Sequence, residues 1–544
     1  MRASSQFLAL LALGGAALAA ADNESTVSTA VPWKHLSISA PSSGRYLHRT
    51  ESGKPFFWQA DTAWELFHRL NRSDIEYYLQ DRASKGFNIV QAVVISELNG
   101  TTLPNFYGEL PLHDADPLRP NEAYFTHVDW AVERAAEHGI LIALVPTWGR
   151  YVNCGWHDGP VIFNESSAEW YGDFIGQRYP GLPKIIGGDS NGFWSCNTSS
   201  AQDAFRADPT LDPKTLLGPI TDTRSVWSSM AKGLANAEQE AGFEPFVSWH
   251  PTNMWISTPD TGLPYGHNYM NGTFGRVSMD AVQSGHNVPD NNTLDAGFDV
   301  MMGWDSTLNY ENIATMRAAF SGPVVGLENH YEGANIGFNA SRPLWNASDV
   351  RHGFYNAYLS GSCGFTYGTQ AVWQMYAPLD QLARADLYIE PQLQQPSNES
   401  WRDALEYPGA THSGYVQRLF AGLSRATFDN MQPNRSFILS PEDAEEDVLA
   451  YTGNQYVAGL VSREHYWVYA GYGDAFDLDL DALAGHFSAG GASAKARWYD
   501  PRQGEYRNST ESSGLALTGR KTFVPPSSGS VDDDWVLHLK VVDA

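Results

Sequence analysis

Four carboxylates, Asp61, Glu97, Asp189 and Glu328, each stand just after a short apolar run of the sequence. If those runs are strands of one parallel sheet, their C-terminal ends converge and bring the acids with them. Like charges in a poorly hydrated site repel, so this is a costly arrangement for a purely structural protein. Cleavage of a glycosidic bond needs it. One acid must stay protonated to release the leaving oxygen, while the other, ionised, attacks or stabilises an oxocarbenium-like centre. Asp189 and Glu328 are the pair the sequence singles out. Gly187-Gly188 precedes Asp189, where missing side chains would leave room for a sugar ring, and Glu328 ends a run on the far side of the same ring of strands. Each acid taken alone reads equally well as a solvated loop acid or a helix N-cap.

Further polar and aromatic groups fall at the same strand ends. With Asp61 and Glu97, the substrate-binding candidates are Trp64, Trp148, His250, His286, His330, Glu332 and Tyr367. Glu65 and Ser284 share these strand-end positions. The chain carries 18 tryptophans and 13% aromatic residues, and indole faces suit the apolar C–H faces of sugars. Most of the tryptophans can equally be core, with two or three lining a subsite. His250, His286 and His330 can also be read as a three-histidine metal site. The tight spacing that seeds such sites, His-x-His or His-x-x-x-His, is absent, and histidines that bind sugar hydroxyls or orient Glu328 fit better. A nucleophilic serine lacks its Gly-x-Ser-x-Gly elbow. The reading therefore calls for no metal and no cofactor.

The elements that must position these groups alternate along the chain. Apolar runs at 56–61, 89–95, 140–145, 184–189, 246–251, 323–328 and 363–367 are separated by amphipathic stretches, the pattern of a parallel sheet covered by helices. The helices include one from Ser73, with Ser73 as N-cap, one at 125–138 ending at Gly139, one at 223–240 and one at 350–359. A sixth strand is ambiguous between 277–283 and 298–302, and the first is preferred. Eight such units predict closure into a (β/α)8 barrel. An open doubly wound sheet would need a Gly-rich phosphate turn after its first strand, where this chain has Asp61-Thr62-Ala63-Trp64. Beyond Leu423 the rhythm changes to short strands and turns, with strict alternation at 476–480, which predicts a small antiparallel β-sandwich. The predicted division is a signal peptide over 1–21, a catalytic barrel over 22–424 and a β-domain over 425–544, with the two domains packed together.

Composition narrows the function classes. The positive start, short apolar run and small residues of 1–21 read as a cleaved secretion signal, too short to span a bilayer. Twelve Asn-x-Ser/Thr sequons agree with a secreted, extracellular chain. The 62 acidic and 35 basic residues of this 544-residue chain give a net charge of −27, which disfavours nucleic acid and anionic membranes as partners. The expected partner is a polysaccharide or oligosaccharide substrate. With three cysteines, the fold must rest on its hydrophobic core. Cys154 and Cys196 lie in predicted loops and could pair, while Cys363 opens an apolar run and reads as a buried thiol.

Several of these runs resemble one family. The stretch Gly53-Lys54-Pro55-Phe56-Phe57-Trp58-Gln59-Ala60-Asp61-Thr62-Ala63-Trp64-Glu65-Leu66-Phe67-His68-Arg69-Leu70 is similar to the opening of the apiosidase-like glycoside hydrolase domain. Tyr78-Leu79-Gln80-Asp81-Arg82-Ala83-Ser84-Lys85-Gly86-Phe87, Pro146-Thr147-Trp148-Gly149, Gly187-Gly188-Asp189, Gln283-Ser284-Gly285-His286 and Thr366-Tyr367-Gly368 follow in the family's order over about residues 40–375. The C-terminal Trp498-Tyr499-Asp500-Pro501-Arg502-Gln503-Gly504-Glu505 and Asp534-Trp535-Val536-Leu537 resemble the small domain that follows it, often labelled collagen-binding. The resemblance implies a (β/α)8 hydrolase of plant cell-wall polysaccharide, including cleavage at apiose in pectic rhamnogalacturonan II. It implies Asp189 as general acid/base and Glu328 as nucleophile. The family's usual Gly-Glu-Pro reads Leu327-Glu328-Asn329 here, and 287–310 reads as an insertion near the site. The competing functions are a barrel that binds sugar without cleaving it and a zinc hydrolase.

Overall fold

A computed structural model describes residues 31–41, 44–208, 210–252, 265–270, 277–285, 309–338, 340–378, 381, 397, 399–440, 456–487, 493–507 and 512–542. The proposed signal segment, His286, the alternative strand at 298–302 and most of the insertion at 287–310 lie outside these residues.

Eight parallel strands form the centre: β1 (Trp58–Thr62), β2 (Ile89–Val93), β3 (Leu141–Val145), β4 (Lys184–Ile186), β5 (Val247–Trp249), β6 (Asp280–Gln283), β7 (Val324–Glu328) and β8 (Gly364–Thr369). β1 to β5 pair in sequence order, and β8 pairs on the other side of β1. The ring is completed by a parallel bridge from Ser248 to Met279, by the β6–β7 pair, and by the Cys363 N–H donating 2.9 Å to the Val324 carbonyl. Helices cover the outside: α1 (Arg72–Ser84), α2 (Glu122–Glu137), α3 (Glu165–Arg178), α4 (Arg224–Glu240), α5 (Asn309–Ala319), α6 (Ala347–Leu359) and α7 (Pro408–Phe420). Every residue of β1 to β8 is buried, which is why these runs read as continuously apolar. Strand parity then decides which side chains enter the barrel and which meet the helices.

Local chemistry sets the helix limits. α1 is capped by Asn71, whose side-chain oxygen accepts the Asp74 N–H at 2.9 Å, so the predicted cap Ser73 sits inside the first turn. α2 begins earlier than the hydrophobic pattern indicates, because Asn121 caps it. It ends as expected, with Gly139 at φ +76° and the Ile140 N–H returning to Ala135 O at 2.9 Å. Cys154 and Cys196 form a disulfide with a Cα separation of 5.1 Å, joining the loops after β3 and β4, and Cys363 is a buried free thiol.

The C-terminal region is a sandwich of two antiparallel sheets. One contains β9 (Val457–Val461), β10 (His465–Ala470), β12 (Ser493–Asp500) and β14 (Trp535–Val541); the other pairs β11 (Phe476–Asp479) with β13 (Arg520–Phe523) and Ile438–Ser440. Phe476, Leu478, Trp498, Phe523 and Leu537 lie in its core. This sandwich packs on α6 of the barrel. Arg351 reaches Asp534 through two nitrogens, at 2.7 and 2.8 Å, with both side chains buried. Tyr355 stacks on Tyr469, and Phe420 meets Trp467. Among the described residues no helix is long and apolar enough to cross a membrane.

Candidate active site

The turn after β4 fixes Asp189 in an uncommon backbone state. Gly187, Gly188 and Asp189 have φ values of +94°, +49° and +52°, and a non-glycine residue in this left-handed region is sparsely populated and mildly strained. Its neighbours hold it there. Ser190 Oγ donates 2.7 Å to Gly187 O, Asn153 Nδ2 donates 3.1 Å to Ser190 Oγ, and Trp249 Nε1 donates 3.1 Å to Ser190 O. The two glycines have a different purpose from the one expected. A Cβ on Gly188 would sit 2.8 Å from Trp148 Cα, and one on Gly187 2.5 Å from Trp249 Nε1, so the missing side chains make room for protein backbone and indole, not for substrate.

Glu328 ends β7 and faces Asp189 across the barrel mouth. Gln283, the last residue of β6, lies between them: its amide nitrogen donates 2.8 Å to Asp189 Oδ1 and 3.0 Å to Glu328 Oε2. His250, one residue after β5, places Nε2 3.1 Å from Glu328 Oε2. One oxygen of Asp189, one of Glu328 and a ring nitrogen of His250 all lie within 4.8 Å of one another. Burial, then the charges of Glu328 and Glu97, push the Asp189 carboxyl well above the usual carboxylate range, while hydrogen bonds from Thr252 and Gln283 pull the other way. Asp189 is therefore disposed to hold a proton where an ordinary aspartate would not.

An aromatic wall closes the site. Trp64 meets Trp148 at 5.1 Å between ring centroids and the His250 ring edge-on at 5.4 Å. The Trp64 indole N–H donates 3.1 Å to Tyr331 Oη, and the Tyr331 hydroxyl is itself hydrogen-bonded to Glu328. Glu97 belongs to the rim: its carboxylate is 3.4 Å from His157 Nε2, its carbonyl accepts from Arg150 at 2.7 Å, and its charge acts on Asp189. The structure thus brings together Asp189, Glu328, His250, Trp64, Trp148 and, at the edge, Glu97. Trp64 and Trp148 are both buried, so they act more as wall than as open stacking platforms.

Four of the expected binding residues stand apart. Asp61 is 0% exposed and accepts 2.6 Å hydrogen bonds from Arg82 Nε and Tyr78 Oη on α1. Tyr367 donates 2.6 Å to Glu332 Oε2, and Glu332 also accepts the Gly409 N–H of α7 at 3.1 Å. Burial pushes Glu332 up to about 7. These three face the helical layer, because strand parity turns Asp61 and Tyr367 outward. His330 uses Nδ1 on the Gly285 carbonyl at 2.8 Å and stacks on Trp345 at 3.9 Å. His286 lies outside the described residues, so of the three histidines read as a metal site only His250 and His330 are placed. Asp189, His250 and Glu328 could each offer one ligand atom to a cation, and the Gln283 amide donates to one oxygen of each carboxylate.

Three members of the cluster, Gln283, Tyr331 and Thr252, which hydrogen-bonds to Asp189, are not among the candidates the sequence offers. Gln283 lies in the quoted Gln283-Ser284-Gly285-His286 motif and ends a strand, so its position is a usable signal. Tyr331 follows a strand by three residues and has none.

Comparison with known proteins agrees with this geometry. Residues 41–427 match the family model described as "Apiosidase-like, catalytic domain", and residues 433–540 match the one described as "Putative collagen-binding domain of a collagenase". Among solved structures, one titled "Glycoside hydrolase" is 23% identical with a TM-score of 0.69, covering 94% of this chain and 98% of its own. A glycoside hydrolase family 5 structure from Bacteroides vulgatus is 24% identical with a TM-score of 0.71, covering 94% and 95%. A comparison with curated protein sequences finds no match.

Proposed function

The chain belongs to the apiosidase-like family of glycoside hydrolases, and on that premise we propose that it is a secreted, retaining glycosidase of acidic plant cell-wall polysaccharide, with pectic side chains as its substrate. The observation that carries the reading is the Gln283 amide bridging Asp189 and Glu328 at the C-terminal end of the barrel. In this scheme Glu328 attacks the anomeric carbon as the glycosidic C–O bond breaks, and Asp189 passes its proton to the departing oxygen. The resulting glycosyl ester is then opened by water: Asp189, now a carboxylate, takes the water proton, the new C–O bond forms, and Glu328 is released.

One feature supports retention and a second supports the division of roles. Carboxyl groups of retaining enzymes lie about 5 to 5.5 Å apart, against roughly 6.5 to 9.5 Å when a water must fit between them, and one oxygen of Asp189 lies within 4.8 Å of one oxygen of Glu328, which favours the shorter class. The unequal surroundings supply the unequal roles: Asp189 is held protonated by burial and like charge, whereas Glu328 faces three groups suited to an anion, Gln283, His250 and Tyr331. Secretion is supported by the apolar 1–21 segment, the sequons and the Cys154–Cys196 disulfide.

The test is incubation of the full chain with fractionated pectins, hemicelluloses and arabinogalactans, with identification of the sugar released. Asp189→Asn and Glu328→Gln should each cut release by about 10²-fold or more while remaining folded. Sugar binding with no release by the unaltered protein on any fraction would instead favour a binding protein on a barrel scaffold.

A further inference from the structure

Beneath the barrel, opposite the candidate active site, lies a groove of about 1070 Å³. It is bordered by the segment leading into β1, the turn before β2 and the C-terminal half of α7, so it opens at the N-terminal ends of the strands. Its charge is unlike that of the rest of the molecule. On a chain of net charge −27, the charged residues bordering it are Arg49, Lys54, Lys85, Arg418 and Arg425, with no aspartate or glutamate among the lining residues.

The cations differ in how far they are already engaged. Lys85 pairs with Asp81 and Arg425 with Asp429 at its Nε, both from outside the lining, and Arg49 donates to the Leu36 carbonyl. Lys54 and Arg418 have no carboxylate partner among the described residues. The Arg418 guanidinium lies 4.4 Å from the Tyr415 ring centroid and that of Arg49 4.4 Å from Phe56. A guanidinium beside a ring can keep N–H groups for a carboxylate, and Arg418, which is exposed, is placed to do so.

We propose that this groove is a second carbohydrate site, which holds a carboxylate-bearing sugar chain, a polyuronate, at a distance from the cleavage site. The inference rests on the glycosidase reading for its biological sense, since a polymer anchored on one face would keep its side chains near the barrel mouth. A polyuronate and a nucleic acid are both polyanions that these cations could hold; the glycoside hydrolase family of the chain favours the sugar.

Binding is measured by calorimetry on the full-length Glu328→Gln variant, with a galacturonate oligomer, its fully methyl-esterified form and a single-stranded RNA as probes. The free acid should bind, the ester should bind far more weakly, and affinity for the acid should fall as salt is raised. Lys54→Glu with Arg418→Glu should weaken it by about tenfold or more without changing kcat on a small soluble substrate of the unaltered enzyme. Because Arg418 packs on Tyr415, the exposed single change Lys54→Gln and the salt titration of the chain without groove changes serve as independent readouts. Equal binding of acid and ester, indifference to both charge changes and salt, or tighter binding of RNA would overturn the proposal. If cleavage fails while the oligomer binds, the catalytic reading falls alone; if cleavage persists and the oligomer does not bind, only this inference falls.

Discussion

The amide nitrogen of Gln283 lies 2.8 Å from Asp189 Oδ1. The same nitrogen reaches Glu328 Oε2 at 3.0 Å, so a single neutral donor spans two acids that would otherwise repel. Hydrogen bonds to charged groups are worth about 1.5–3 kcal/mol. Gln283→Leu should therefore lower kcat by roughly 10- to 100-fold and move the acid limb of the kcat/KM profile to higher pH, since the ionised acids lose their donor. A profile of unchanged shape would show that Gln283 only fills space.

The raised pKa of Asp189 fixes the sign of a second prediction. Its working form is the protonated one, so activity should persist below its folded pKa and fall as pH rises through it. Asp189→Asn should reduce kcat by about 10²- to 10⁴-fold, the usual worth of a general acid, and remove that alkaline limb from whatever activity is left. Retention of the limb would assign it to another group.

Stability should also carry the mark of buried acids. Burial pushes Glu332 up to about 7, against about 4.3 in an unfolded chain. The folded state then binds a proton more tightly than the unfolded one, so the cost of this residue appears as pH rises from about 4 to 7. Glu332→Gln keeps an acceptor for Tyr367 and Gly409 and removes the titration. Its Tm should match that of the unaltered protein near pH 4 and exceed it near pH 7.5. An equal Tm difference at both pH values would contradict this origin.

Two buried ion pairs should prove structural. Removing one partner of such a pair costs about 3–5 kcal/mol. Asp61→Asn, beside Arg82, and Arg351→Ala, beside Asp534, should each lower the Tm by several degrees, yet leave KM nearly unchanged in molecules that remain folded. A large rise in KM for Asp61→Asn would restore it to the substrate site. For Arg351→Ala, earlier loss of the C-terminal sandwich in a proteolysis time course would trace the defect to the contact between barrel and sandwich.

Much of this architecture is legible in the amino-acid sequence. The alternation of apolar runs with amphipathic stretches specifies the barrel, because each strand is buried on both faces and most helices on one, α6, covered by the sandwich, being the exception. Asp189, Glu328, His250, Trp64 and Trp148 follow from the rule that strand ends converge. The same rule misplaces Asp61 and Tyr367, since it locates a residue along a strand but not on which side of it. A one-residue difference sends a side chain either to the mouth or to the helices. His330 escapes the rule for a related reason: its ring is spent on the Gly285 carbonyl and Trp345, contacts made between segments far apart in sequence. The role of Gly187 and Gly188 is hidden likewise, because the atoms a Cβ would strike belong to Trp148, in the loop after β3, and Trp249, on β5.

Azide rescue bears most directly on the central claim, that Asp189 donates the proton and Glu328 forms the glycosyl bond. Asp189→Ala and Glu328→Ala are each incubated with an activated glycoside of the released sugar and azide, and the glycosyl azides are analysed by NMR. Azide of retained anomeric configuration from Asp189→Ala and of inverted configuration from Glu328→Ala is the predicted result. Failure of azide to rescue either variant, or the opposite pattern of configurations, would contradict the assignment.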